Sequence, residues 1–151
     1  GKYVLVVLDN STTAMTGHQP HPGTGRTVMG EIVQKINIEQ VLRGIGVTEI
    51  ETINPLELEA SVSCVKRMAE KSGVRAIIFK APCIAVTKPK APLHVNQDSC
   101  IGCKKCIRDL GCPAIVMNDE KICIDASMCT GCHLCSQVCP VCAIAGGDDH
   151  E

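Results

Sequence analysis

Ten of the twelve cysteines fall between Cys100 and Cys142, and eight of these form two similar runs. The first run is Cys100-Ile-Gly-Cys103-Lys-Lys-Cys106, followed by Cys112-Pro113. The second is Cys129-Thr-Gly-Cys132-His-Leu-Cys135, followed by Cys139-Pro140. Three thiolates at C-x2-C-x2-C spacing can wrap one face of an iron–sulfur cube, and a more distant fourth can close it. A structural zinc site uses isolated C-x2-C pairs that close a single tetrahedron, and a triple run ending in Cys-Pro departs from that pattern. Disulfides belong to oxidising compartments. The apolar run Tyr3 to Leu8 is too short for a signal-peptide core and lacks a small-residue cleavage site. A cytoplasmic address is therefore expected, with reduced thiols acting as metal ligands.

The two runs resemble those of two-cluster bacterial ferredoxins, in which the fourth cysteine of each run serves the other cluster. On that pattern one 4Fe-4S cluster takes Cys100, Cys103, Cys106 and Cys139. The other takes Cys129, Cys132, Cys135 and Cys112. Gly102 and Gly131 leave room for backbone beside the sulfide, and Pro113 and Pro140 fix the turn after the exchanged ligand. One departure stands out: five residues separate Cys106 from Cys112, against the usual three. Between the runs, Ile115–Met117 and Ile122–Ile124 flank Asn118-Asp-Glu-Lys121, the pattern of a short hairpin. Cys64, Cys83, Cys123 and Cys142 have no close ligand spacing. They are read as packing residues, with Cys142 in the position that Ile115 holds in the first copy.

The rest of the composition narrows the function. One Tyr, one Phe and no Trp leave no stacking platform for single-stranded nucleic acid, and a net charge of -1 gives no basic footprint. No apolar run reaches the roughly 18 residues of a membrane span. Neither nucleic acid nor membrane is expected as a partner. Charge divides the chain: residues 1–92 carry 11 basic and 8 acidic side chains, and residues 93–151 carry 4 and 8. Lys88-Pro-Lys-Ala-Pro92 marks the change, and two prolines there break any helix or central strand. The expected organisation is an α/β unit over 1–87, a linker over 88–92, a two-cluster domain over 93–146 and a tail over 147–151. Some 59 residues with so few aromatics cannot bury a sufficient core alone, so the clusters are structural as well as conducting.

The first unit alternates strands and helices. Tyr3–Leu8 is a continuous apolar run, expected as a parallel strand buried on both faces. Residues 37–46 read as a helix capped by Asn37, with Ile38, Val41, Leu42 and Ile45 on one face. Glu49–Ile53 reads as a strand. Residues 55–72 read as a long helix, with Asn54 as N-cap, Pro55 at the first position, a stripe of Leu58, Val62, Val65 and Ala69, and Gly73 as stop. Arg75–Phe79 follows as another buried strand. This order predicts a three-layer α/β domain with a parallel sheet. Because the chain opens directly in a core-type strand, the domain is expected to be the C-terminal part of a larger one.

Asp9-Asn10-Ser11-Thr12 leaves the end of the first strand, where open α/β sheets bind ligands, and its oxygen-rich side chains suit a hard cation. The apolar strand running into these residues resembles the end of the thiamine diphosphate motif. Thr16-Gly17-His18-Gln19 resembles the Thr-Gly-Gly-Gln that follows it in pyruvate:ferredoxin oxidoreductases. With the two cysteine runs downstream, the whole chain resembles the C-terminal part of the large (alpha) subunit in the indolepyruvate:ferredoxin oxidoreductase family.

That resemblance implies a partial thiamine diphosphate-binding α/β domain followed by an α+β ferredoxin-like 4Fe-4S module. It implies that the Asn10 side chain and the Thr12 carbonyl ligate the Mg2+ that holds thiamine diphosphate. The Gly-Asp half of the motif is absent, and neither His18 nor His21 receives a catalytic role. The implied reaction is oxidative decarboxylation of an aryl 2-oxo acid such as indolepyruvate to its acyl-CoA, with coenzyme A as substrate. Electrons pass through the two clusters to an external ferredoxin, and a smaller (beta) subunit completes the enzyme. The competing reading is a non-catalytic ferredoxin-like module fused to a degenerate α/β domain.

Overall fold

The computed structural model describes residues 1–146, so the expected tail lies outside the described residues. The chain divides into two compact units, Gly1–Thr87 and Lys88–Glu151. The first carries strands β1 (Tyr3–Asp9), β2 (Glu49–Ile53) and β3 (Val74–Lys80), with helices α1 (Ile38–Gly44) and α2 (Leu58–Glu70) between them. The three strands form a parallel sheet in the order β1-β3-β2. Parallel neighbours need crossover connections, and α1 and α2 provide them. Leu42 of α1 packs with Ala76 and Ile78, whereas Cys64 and Met68 of α2 pack with Ile77. Successive side chains of a strand face opposite ways, so the helices cover opposite faces of β3 and give the expected three layers.

Several local expectations shift. β1 lies at the sheet edge, with Tyr3, Leu5, Val6 and Leu8 exposed, so its apolar run does not mark burial on both faces. Asn37 caps α1 as expected, its side chain accepting the Gln40 N–H at 3.1 Å. Only Leu42 of the expected α1 stripe is fully buried, while Val41 and Ile45 are exposed. α2 starts three residues later than expected, because Asn54 spends its side chain on a turn, accepting the Leu56 N–H at 3.0 Å. Its buried face is Ser61, Cys64 and Met68, and Val62 and Val65 of the expected stripe are exposed. Both stripes have helical spacing; the small Ser61 and the adaptable Cys64 and Met68 fill the shallow space over the sheet.

Arg75 is the one fully buried cation among the described residues. Its guanidinium donates to the carbonyls of Met68 (2.9 Å), Ala69 (3.5 Å) and Gly73. These groups lie at the end of α2, where carbonyls lack helical partners and the dipole favours positive charge. Gly73 takes the left-handed conformation that turns the chain into β3.

The second unit carries β4 (Leu93–Val95), α3 (Lys105–Leu110), β5 (Ile115–Asn118), β6 (Lys121–Ile124), α4 (Leu134–Val138) and β7 (Ile144–Gly146). β4 pairs antiparallel with β7, and β5 with β6. The expected hairpin is present, and Asp119 and Glu120 form its two-residue turn with positive φ, as a type I′ turn requires.

The unit is a repeat with an offset of 29 residues. Cys100, Cys103 and Cys106 map to Cys129, Cys132 and Cys135, and Ala114-Ile115 maps to Ala143-Ile144. The geometry follows. Gly102 and Gly131 have φ of 65 and 67°, and Lys104 and His133 have φ of 60 and 61°. Asn96 N–H donates to Ala143 at 2.8 Å, and Asp125 N–H donates to Ala114 at 2.8 Å. Each of those two side chains then accepts an N–H from two residues on. Only the Cys-Pro pair breaks the offset, because Cys112 precedes Ile115 by three residues and Cys139 precedes Ile144 by five. The two additional residues before Cys112 form the end of α3 and its Gly111 cap. Those after Pro140 are Val141 and Cys142. Cys142 is therefore not the counterpart of the buried Ile115. It is exposed, with φ of 50°, and the packing role expected for it falls to Ile144.

Candidate functional site

The repeat places the third cysteine of each run at the second residue of a short helix, Cys106 in α3 and Cys135 in α4, both buried. A left-handed glycine and a left-handed cap residue precede each helix, Gly102 and Lys104 before α3 and Gly131 and His133 before α4. Cys100, Cys103, Cys106 and Cys139 line one pocket, walled by apolar groups that include Val95, Ile122 and Ile144. Burial pushes the Cys106 thiol up, its own and the Ile107 N–H pull it down, and the charges of Cys103 and Cys139 raise it further. Burial also pushes the Cys135 thiol up to about 11, with further contributions from Cys132, Cys129 and Cys112. Cys139 thus lines the pocket of the first three cysteines, and Cys112 is among the groups whose charge acts on Cys135.

Backbone donors face the sulfurs. Ala143 N–H donates to Cys139 Sγ at 3.3 Å, and Leu93 N–H donates to Cys129 Sγ at 3.5 Å. Such N–H groups stabilise negative charge on ligand sulfur. Among the described residues no three His, Cys, Asp or Glu side chains converge on one ion. Eight soft thiolates in two sets, with apolar walls and N–H donors, suit two 4Fe-4S clusters.

Two features of this site have no single-motif signal. Gly131 is packed by backbone, since a Cβ there would lie 2.6 Å from the Ala91 oxygen and 2.7 Å from Lys90 Cβ. Lys90 N–H also donates to Thr130 at 3.3 Å. A Cβ at Gly102 would meet nothing within 4 Å. Lys90–Ala91 therefore covers the second cysteine loop and leaves the first open. The backbone donors to sulfur, Leu93 and Ala143, carry no such signal either.

In the first unit, Asn10 and Thr12 lie together beyond β1, the Asn10 side-chain oxygen accepting the Thr12 N–H at 3.3 Å. The Asn10 carbonyl accepts the Cys83 N–H at 2.9 Å, which anchors the loop to the residues after β3. These hard oxygen donors suit Mg2+. Thr16–Gln19 closes into a turn in which the Thr16 hydroxyl donates to Gln19 at 2.6 Å and Gly17 has φ of 100°. An open cleft lies at the carboxyl ends of the strands, lined by Asp9, Ser11, His21, Lys35, Thr52 and Lys80 among others. His21 faces it, with Nδ1 accepting the Gly23 N–H at 3.1 Å. Neither His18, Asn10 nor Thr12 lines that cleft.

Comparison with known proteins agrees with both halves. Residues 1–79 match the family described as thiamine pyrophosphate enzyme, C-terminal TPP binding domain. Residues 92–140 match the 4Fe-4S dicluster domain. The chain is 43% identical over 145 residues to indolepyruvate oxidoreductase subunit IorA of Methanothermobacter thermautotrophicus, covering 95% of this chain and 24% of that protein. It is 39% identical over 144 residues to the same subunit of Archaeoglobus fulgidus, covering 91% and 23%. The chain spans about a quarter of the length of these relatives. It belongs to the thiamine pyrophosphate enzymes through their C-terminal TPP binding domain, carries a 4Fe-4S dicluster domain after it, and resembles the IorA subunit of indolepyruvate oxidoreductase.

Proposed function

We propose that the chain forms part of a cytoplasmic 2-oxoacid:ferredoxin oxidoreductase. The reaction is oxidative decarboxylation of aryl 2-oxo acids, indolepyruvate in particular, with coenzyme A taking the acyl group and ferredoxin the electrons. A smaller beta subunit completes the enzyme. The observation that carries the reading is the pair of C-x2-C-x2-C runs, matched by a 4Fe-4S dicluster domain, in a chain that also matches a TPP binding domain.

Thiamine diphosphate, when bound, supplies the nucleophilic carbon for decarboxylation, and 4Fe-4S clusters supply one-electron steps. The residues of this chain bind and orient. The Asn10 side chain and the Thr12 carbonyl would hold Mg2+, and the Asn10–Thr12 and Asn10–Cys83 hydrogen bonds fix their loop. Cys100, Cys103, Cys106 and Cys139 would hold one cluster, and Cys129, Cys132, Cys135 and Cys112 the other. Val95, Ile122 and Ile144 wall the pocket of the first set.

The test is 2-oxo-acid-dependent reduction of a viologen dye by the complete complex under anaerobic conditions. Reduction with indolepyruvate or phenylpyruvate and coenzyme A is expected. No reduction would overturn the enzymatic reading in favour of an electron-transfer module alone.

A further inference from the structure

Three of the four basic residues after position 92 sit in five positions beside the first cysteine run: Lys104, Lys105 and Arg108. Lys104 and Arg108 are exposed, four residues apart on one helical face, and have no carboxylate partner among the described residues. Lys105 is bridged to Asp109, and Asp98 is the other carboxylate on this segment. The adjoining ligand Cys103 is exposed, as is Ile101, at 66%. Ile101, Cys103 and Val141 border the same pocket. The arrangement has an apolar centre over a ligand and a cationic rim, which is the anatomy of a protein docking surface.

The second run lacks every part of this. The repeat puts Thr130, His133 and Gln137 where the first run has Ile101, Lys104 and Arg108. Its Gly131 is buried beneath Lys90–Ala91, and Cys132 is only partly exposed. Asp119 and Glu120 lie in the β5–β6 turn, away from the first run in sequence. The unit is net acidic, yet its free positive charge is concentrated at the one exposed cluster ligand.

We propose that the face formed by Ile101, Cys103, Lys104, Arg108 and Val141 docks an acidic one-electron carrier protein, and that electrons leave through the Cys100 set of ligands. This rests on the oxidoreductase reading and adds its exit. The transfer moves one electron from the reduced cluster to the oxidised carrier and breaks no bond. Complementary charge raises the association rate at low salt, and at physiological ionic strength exposed charges farther apart than a Debye length of about 8–10 Å are screened.

The experiment uses the complete complex and a purified, oxidised acidic ferredoxin, with binding measured by calorimetry at low and high salt. The variants are Lys104→Asn with Arg108→Glu, each single change, and Lys121→Glu on β6 as control. Iron content and visible absorbance of each variant establish that the clusters remain. The double variant should weaken binding at least about tenfold at low salt, with the difference shrinking at high salt. Lys121→Glu should leave binding unchanged. Equal binding by wild type and double variant, or equal weakening by Lys121→Glu, would overturn the proposal. Failure of wild-type complex to reduce viologen with a 2-oxo acid would instead overturn the oxidoreductase reading.

Discussion

The backbone N–H of Leu93 donates to Cys129 Sγ at 3.5 Å, joining the first strand of the cysteine-rich unit to its second run. The same unit pairs β4 with β7, so the ends of the two copies close on each other. Interlocking thus operates in strand pairing, and the proposed ligand sets add a second level in the exchange of Cys112 and Cys139. Losing one exchanged ligand should damage a defined cluster rather than whichever lies nearest in sequence.

Cys112→Ala should remove the ligand that closes the Cys129 set and spare the Cys100 set. Two cubes bring about eight irons, and this variant should fall towards about four. Iron analysis with the electron paramagnetic resonance of the reduced protein measures this. Cys139→Ala should remove the other signal. If Cys112→Ala destroyed the Cys100 signal and kept the other, the ligand sets would be wrong.

Gly131→Ala should destabilise more than Gly102→Ala. Both positions have φ near +65°, which costs a side chain about 1 kcal/mol. Only at position 131 would the new Cβ also meet backbone, 2.6 Å from the Ala91 oxygen. Thermal loss of cluster absorbance should begin at lower temperature in Gly131→Ala. Equal midpoints would show that Lys90–Ala91 does not pack tightly on the loop.

Much of this was legible in the cysteines themselves, because a thiolate run has few chemical uses and its spacing is local. Asn37 as a cap and the Asp119–Glu120 turn were legible for the same reason. The face that α2 buries was not, since Val62, Val65 and Ser61, Cys64, Met68 all obey helical spacing, and the sheet decides between them. The exposure of β1 was hidden because an apolar run records composition and not the number of neighbouring strands. Cys142 was misplaced by counting from Cys-Pro, the one element that departs from the repeat offset.

Arg75→Leu should cost about 3 kcal/mol, through loss of a cation that satisfies three carbonyls at the end of α2. Arg75→Lys should recover only part, because an ammonium cannot reproduce the forked geometry. Urea unfolding midpoints order the three proteins. Full recovery by lysine would mean that charge alone matters there.

Glu51 is held below its ordinary value near 4.5, chiefly by the hydrogen bond from Arg67, with the Cys64 thiol also donating to it. A lowered carboxylate pKa adds stability above the unfolded value, and that stability is lost as pH falls through the folded one. Glu51→Gln should therefore be less stable than wild type at pH 7 (about neutral). The gap should narrow below the ordinary carboxylate range. Urea midpoints at the two pH values measure it, and a gap that widened in acid would contradict the assignment.

The most direct test of the account is electron paramagnetic resonance of the complete anaerobic complex, mixed with indolepyruvate and coenzyme A without any external acceptor. The account predicts that substrate alone produces signals from two reduced 4Fe-4S clusters, and that Cys112→Ala retains only the one held by the Cys100 set. Clusters that stay oxidised with substrate, yet reduce fully with dithionite, would contradict it.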